Sequence, residues 1–112
     1  MINYKNIDTK QSINKNIKLW IKNIIKGENK KCGDILILFC SDEYLLKINI
    51  KYLKHNNYTD VITFDYCVDD ILSGDIFIST ERVKENANRY NVSYKHELCR
   101  VFALSRQSFG SG

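Results

Sequence analysis

The sequence has no proline, a single tryptophan, two histidines, and no apolar run approaching the length of a membrane span. Without proline there is no polyproline linker, and nothing punctuates the chain into separate units. Gly27, Gly33 and Gly74 stand alone, which excludes a glycine-rich phosphate loop; "SGD" is one glycine in a tight turn. A bilayer-spanning helix needs about 20 apolar residues, and the start "MINYKNIDTK" carries no apolar targeting region. A soluble, cytoplasmic protein without a membrane partner is expected. No GxSxG elbow occurs and the serines fall at caps or in the tail, so a serine hydrolase has no support.

Cysteines are few and scattered. Cys32, Cys40, Cys67 and Cys99 form no CxxC pair and no dense framework, so reduced thiols are the default. Two Asn-x-Ser/Thr sequons, at Asn57 and Asn91, read as chance matches in an Asn-rich chain without a secretory signal.

What is present is enough for one core: 112 residues, 44% of them hydrophobic. The net charge of +4 is uneven, since residues 1–31 hold eight lysines against Asp8 and Glu28, a net +6, leaving −2 for the rest. Such an asymmetry suits contact with a polyanion at the N-terminal end, although a surface helix also simply needs a solvated face.

Periodicity gives the elements. In "INKNIKLWIKNIIKG" the residues Ile13, Ile17, Trp20, Ile21 and Ile24 draw one apolar helical stripe, with Ser12 to cap it and Gly27 to end it. Lys15, Lys18, Lys22 and Lys26 repeat at the same spacing and form a basic stripe away from the core, the candidate surface for a polyanion. "DILILFC" reads as a buried strand, and Ser41 caps a helix over residues 42–54 whose first turn carries Asp42 and Glu43. "VITFDYC" and "DIFIS" read as strands of an antiparallel hairpin across the loop "VDDILSG". A third helix over residues 80–91 buries Val83, Ala87 and Tyr90, Ser93 caps a fourth, and the alternation in "INYKNI" suits one more strand. The expected fold is α+β: a single domain with a small mixed sheet packed by about four helices over residues 1–104, and a tail, 105–112, that frays.

Two clusters raise the question of a metal. His96 and Cys99 share a helix face beside Glu97, but zinc usually needs three protein ligands, and a surface histidine with a buried thiol is the plainer reading. Asp65, Asp69, Asp70 and Asp75 surround the hairpin, where they suit a hard cation less well than they suit solvated loop carboxylates.

At "YTDVITFDY" followed by "SGDIFISTERVKENA" the sequence resembles the YbeY family of bacterial rRNA-maturation endoribonucleases, in order and in spacing. "LLKINIKYL" resembles the helix before that strand, so the motif positions here are Asn49, Thr59, Asp60, Thr63, Gly74 and Asp75. The resemblance implies a small α+β fold, hydrolysis of single-stranded RNA, zinc as cofactor, and rRNA or the small ribosomal subunit as partner. It also implies two departures. "HELCRV" matches the approach to a histidine zinc motif, but Leu104 and Ser108 stand at the first two ligand positions and the third lies past Gly112. Leu53 stands where many members carry an arginine for RNA phosphate, leaving Lys51 or Lys54 to help. A C-terminally truncated or frame-shifted member that binds no zinc and does not cut RNA is therefore expected, with a non-catalytic RNA- or ribosome-binding remnant as the alternative.

Overall fold

A computed structural model describes residues 2–10, 15–27 and 31–108. In chain order the elements are β1 (Ile2–Asn6), α1 (Lys15–Gly27), β2 (Lys31–Cys40), α2 (Asp42–Leu53), β3 (Val61–Asp65), β4 (Ile71–Ser79), α3 (Thr80–Arg89) and α4 (Tyr94–Ser108). Element types and order agree with the reading from periodicity. The caps agree too, for the Ser41 hydroxyl accepts from the Tyr44 N–H at 3.2 Å and the Ser93 hydroxyl from the His96 N–H at 3.0 Å. Ser12 and Ile13 lie outside the described residues.

The four strands form one mixed sheet in the order β1-β2-β4-β3, parallel except for the β3–β4 hairpin. Each strand buries alternate side chains on opposite faces. One face carries Ile35, Ile37, Phe39, Ile76 and Ile78 against Ile21 of α1, Val83 of α3, and Leu98, Val101 and Phe102 of α4. The other carries Cys40, Ile62, Phe64 and Phe77 against Tyr44, Leu45 and Ile48 of α2. Three helices thus cover one face and one helix covers part of the other.

Several boundaries differ from expectation, each for a local reason. β2 begins at Lys31 and crosses a register shift between Cys32 and Ile35. That irregularity needs Gly33, where a Cβ would collide with the Ser73 hydroxyl and lie 2.6 Å from Ile71 Cγ2. β3 stops at Asp65 because its carboxylate accepts from the Cys67 N–H at 2.8 Å and bends the chain. β4 starts at Ile71, inside the expected loop, because Asp69 adopts a left-handed conformation (φ 54°) and lets Val68 pair with Ile71 around a tight turn. Tyr90, expected to be buried, is 56% exposed. It shares the apolar face of Val83 and Ala87, but α3 ends at Arg89 and Asn91 (φ 54°) turns the chain away, so Asn86 is buried in its place. The α4 backbone is helical through Ser108, so it enters the segment 105–112.

Candidate functional site

β3 is the last strand of the sheet. The Ser79 N–H donates to the Asp60 carbonyl at 3.0 Å and the Tyr66 N–H to the Ser73 carbonyl at 2.9 Å. By the two-residue period of an antiparallel ladder, the main-chain groups of Ile62 and Phe64 also bond β4, while those of Val61, Thr63 and Asp65 aim away from it. Along this open edge runs a cavity of about 510 Å³, closed on the far side by the end of α2 and the segment after it.

Asn49 builds that far wall. It is buried, at 6% exposure, and its side-chain amide donates to the Asn57 carbonyl at 2.7 Å. Its main-chain carbonyl accepts from both Lys54, which caps α2 in a left-handed conformation (φ 57°), and His55. One buried polar residue thereby fixes the helix end and the chain reversal that follows, which is why its hydrogen bonds must be complete. Leu53, His55, Asn57 and Tyr58 line the cavity beyond it, and Thr59, Val61, Ile62 and Thr63 line the strand side. The lining mixes polar side chains with Leu53, Val61 and Ile62 and includes no carboxylate, lysine or arginine among the described residues, while the Arg82 guanidinium stands 5.3 Å from the centre of the Tyr58 ring.

Asp60 stands behind this wall and is tied to α4. Arg100 Nη2 lies 3.1 Å from Asp60 Oδ2, and Arg100 Nε lies 2.8 Å from Oε2 of Glu97. Glu97 is 1% exposed, so its carboxylate depends on that guanidinium for charge and hydrogen bonds. Hydrogen bonding to Glu97, with the charges of Glu97 and Asp60, raises the Arg100 pKa above its usual value despite partial burial. Periodicity alone missed this triad, although an acid and an arginine three apart on a helix were a readable signal.

Of the six motif positions, Asn49, Thr59 and Thr63 meet in the cavity and Asp60 braces it. Gly74 is buried in β4 opposite Asp65, and Asp75 points to the sheet face covered by α2, where it lines a second cavity. Asp65 and Asp75 therefore sit on opposite faces and do not share an ion. Lys18, Lys22 and Lys26 lie on α1, with Lys18 Nζ 5.6 Å from the Tyr4 ring of edge strand β1, while Lys54 is exposed near the β3 edge. The lysines thus border opposite sides of the sheet. The side chain of Lys15 lies outside the described residues.

Neither Cys40 nor Cys99 is poised as a nucleophile. Burial pushes Cys40 up to about 12, helped by the nearby charges of Asp8 and Asp42, and burial also raises Cys99. The donor set does not fit zinc either: leucine offers no lone pair at 104, serine offers a neutral hydroxyl at 108, and His55 lies in the segment after α2 whereas His96 lies on α4. Among the described residues no three of His, Cys, Asp or Glu converge on a point that could hold a metal ion, and no helix is long and apolar enough to cross a membrane.

The family profile for Endoribonuclease YbeY matches residues 3–105. The Endoribonuclease YbeY of Christiangramia forsetii is 56% identical over 82 residues, 73% of this chain and 57% of that protein. That of Azobacteroides pseudotrichonymphae is 50% identical over 100 residues, 88% of this chain and 72% of the relative. That of Flavobacterium johnsoniae is 52% identical over 84 residues, 75% and 60% of the two lengths. The chain therefore spans between 57% and 72% of these relatives. With the profile running through β1, the β3 groove and most of α4, the chain belongs to the YbeY endoribonuclease family.

Proposed function

We propose that this chain acts in rRNA maturation in the cytoplasm as an RNA-binding member of an endoribonuclease family, and that the 112-residue polypeptide itself binds single-stranded RNA without cutting it. The observation that carries this is the groove along β3, where Asn49, Thr59 and Thr63 come together beside an open strand edge. Walls without a carboxylate, exposed Tyr58 and His55 rings and a nearby Lys54 suit a splayed single strand better than a duplex. Lys18, Lys22 and Lys26, with Lys15, supply a second, sequence-independent hold on phosphate.

Cleavage is a separate matter. The family resemblance implies zinc to activate water, but Leu104 and Ser108 cannot serve as its ligands, so no catalytic step is assigned to this chain. Its partner is an rRNA strand or the small ribosomal subunit that carries one.

Salt dependence tests the binding claim. Affinity for a labelled single-stranded RNA should fall with salt along a log–log slope of about −2 to −3, as three or four lysine–phosphate contacts release counterions. Replacing Lys18, Lys22 and Lys26 by glutamine should flatten that slope. Absence of binding even at low salt would overturn the reading.

A further inference from the structure

We infer that the aromatic groove between α2, β3 and β4, with Asp75 in its wall, is a pocket for an unpaired guanine base of single-stranded RNA. The inference rests on the RNA reading above and adds the base that is recognised and where. The groove lies on the opposite face of the sheet from Thr63, encloses about 380 Å³, and is lined by Tyr44, Tyr52, Phe64, Tyr66 and Phe77. Tyr52, Phe64 and Phe77 make an edge-to-face chain, each neighbouring pair 5.7 Å apart at 82°. Tyr52 is 55% exposed and Tyr66 59% exposed, so the groove offers ring surface to a ligand.

Asp75 decides what that ligand is. Its Oδ2 accepts from the Tyr66 hydroxyl at 3.3 Å, and Oδ1 accepts no hydrogen bond from the described residues. A carboxylate can only accept, so the ligand must bring donors. Guanine presents two adjacent donors, N1–H and N2–H, on one edge, whereas adenine, cytosine and uracil present a single donor group there. An aliphatic helix laid in the same groove would shut Oδ1 away from water with nothing to donate to it, at a cost that argues against it. Cations sit at the rim rather than in the groove: Lys51 Nζ is 5.2 Å from the Tyr52 ring centre, and Lys47 is exposed one turn earlier on α2. A base stacked on the rings, its donor edge at Asp75 and its phosphate toward Lys51, satisfies all three features together.

The intact chain can be tested with labelled oligonucleotides of uridine carrying one guanosine, one inosine or one adenosine. Guanosine should bind most tightly, with inosine, which lacks the N2 donor, weaker. Asp75→Asn should remove about five- to a hundredfold of the guanosine preference, the worth of a good bidentate base contact, by weakening guanosine binding relative to adenosine. Tyr52→Ala, at an exposed position that does not threaten folding, should weaken all three by about fivefold or more. Equal binding of the three oligonucleotides, with Asp75→Asn without effect, overturns the inference and leaves the RNA reading standing. Guanosine monophosphate perturbing tyrosine fluorescence in the parent but not in Asp75→Asn, with no RNA bound at low salt, supports the pocket and overturns the RNA reading. Concentration-dependent self-association abolished by Tyr52→Ala means that a second copy covers the groove, and overturns the inference.

Discussion

Arg100 of α4 reaches Asp60, 40 residues earlier in the chain, with Nη2 3.1 Å from Oδ2, while the same guanidinium holds the buried carboxylate of Glu97. This contact joins the helix that contains positions 104 and 108 to the turn that opens β3. The Arg100 side chain is partly exposed but Glu97 is buried, so removing the guanidinium leaves a buried carboxylate unpaired. Arg100→Leu is therefore expected to destabilise the fold by about 3–5 kcal/mol, read as a fall in the urea midpoint. The double variant Glu97→Leu with Arg100→Leu should lose clearly less than Arg100→Leu alone, and an equal loss would show that burial, not pairing, sets the effect.

Asn49 makes a second prediction, on the groove itself. Asn49→Ala removes the 2.7 Å bond to the Asn57 carbonyl and leaves that end of α2 less tightly held. A cost of about 1–3 kcal/mol is expected, with faster amide hydrogen exchange in residues 54–58 than in the central strands. Uniformly faster exchange across the whole chain would contradict a local role.

The same residues show how far the sequence could be read. Alternation and helical spacing located all eight elements, because the apolar residues of β2 and β4 and the capping serines Ser41 and Ser93 follow strong local rules. Turn conformation was not legible: nothing near Asp69 distinguishes a left-handed residue from an ordinary loop aspartate, so the start of β4 was hidden. Nor could periodicity place Tyr90, since its exposure depends on where the helix ends and not on which face it shares. For the site, the motif supplied Asn49, Thr59 and Thr63, but the closure of the groove by Asn57 and the brace by Arg100 depend on contacts made only after folding.

Gly33 sits where β2 shifts register against β4. Gly33→Ala puts a methyl group against Ser73, Ile71 and the Leu72 carbonyl, the last at 3.0 Å. Because the Leu72 carbonyl is backbone and cannot swing aside, a loss of about 1–3 kcal/mol is expected in denaturant titration. Unchanged stability would mean that the strand re-registers without strain.

Alkaline pH gives a prediction with a definite sign. Burial holds both Cys40 and Tyr94 protonated up to about 12 in the folded chain, whereas unfolding returns them to ordinary values near 9 and 10. Between these limits the unfolded state releases protons that the folded state retains, so stability falls as pH rises from about 9 toward 12. Below pH 9 neither group contributes a slope. Denaturant midpoints measured across this range check it, and Cys40→Ala should make the decline shallower.

The central claim, that this polypeptide holds single-stranded RNA but lacks the chemistry to cut it, is tested most directly by incubating the purified 112-residue chain with labelled RNA and added zinc. Retained, intact RNA and no stoichiometric zinc after dialysis are expected. Cleavage that tracks tightly bound zinc, and that survives removal of contaminating nucleases, would contradict it.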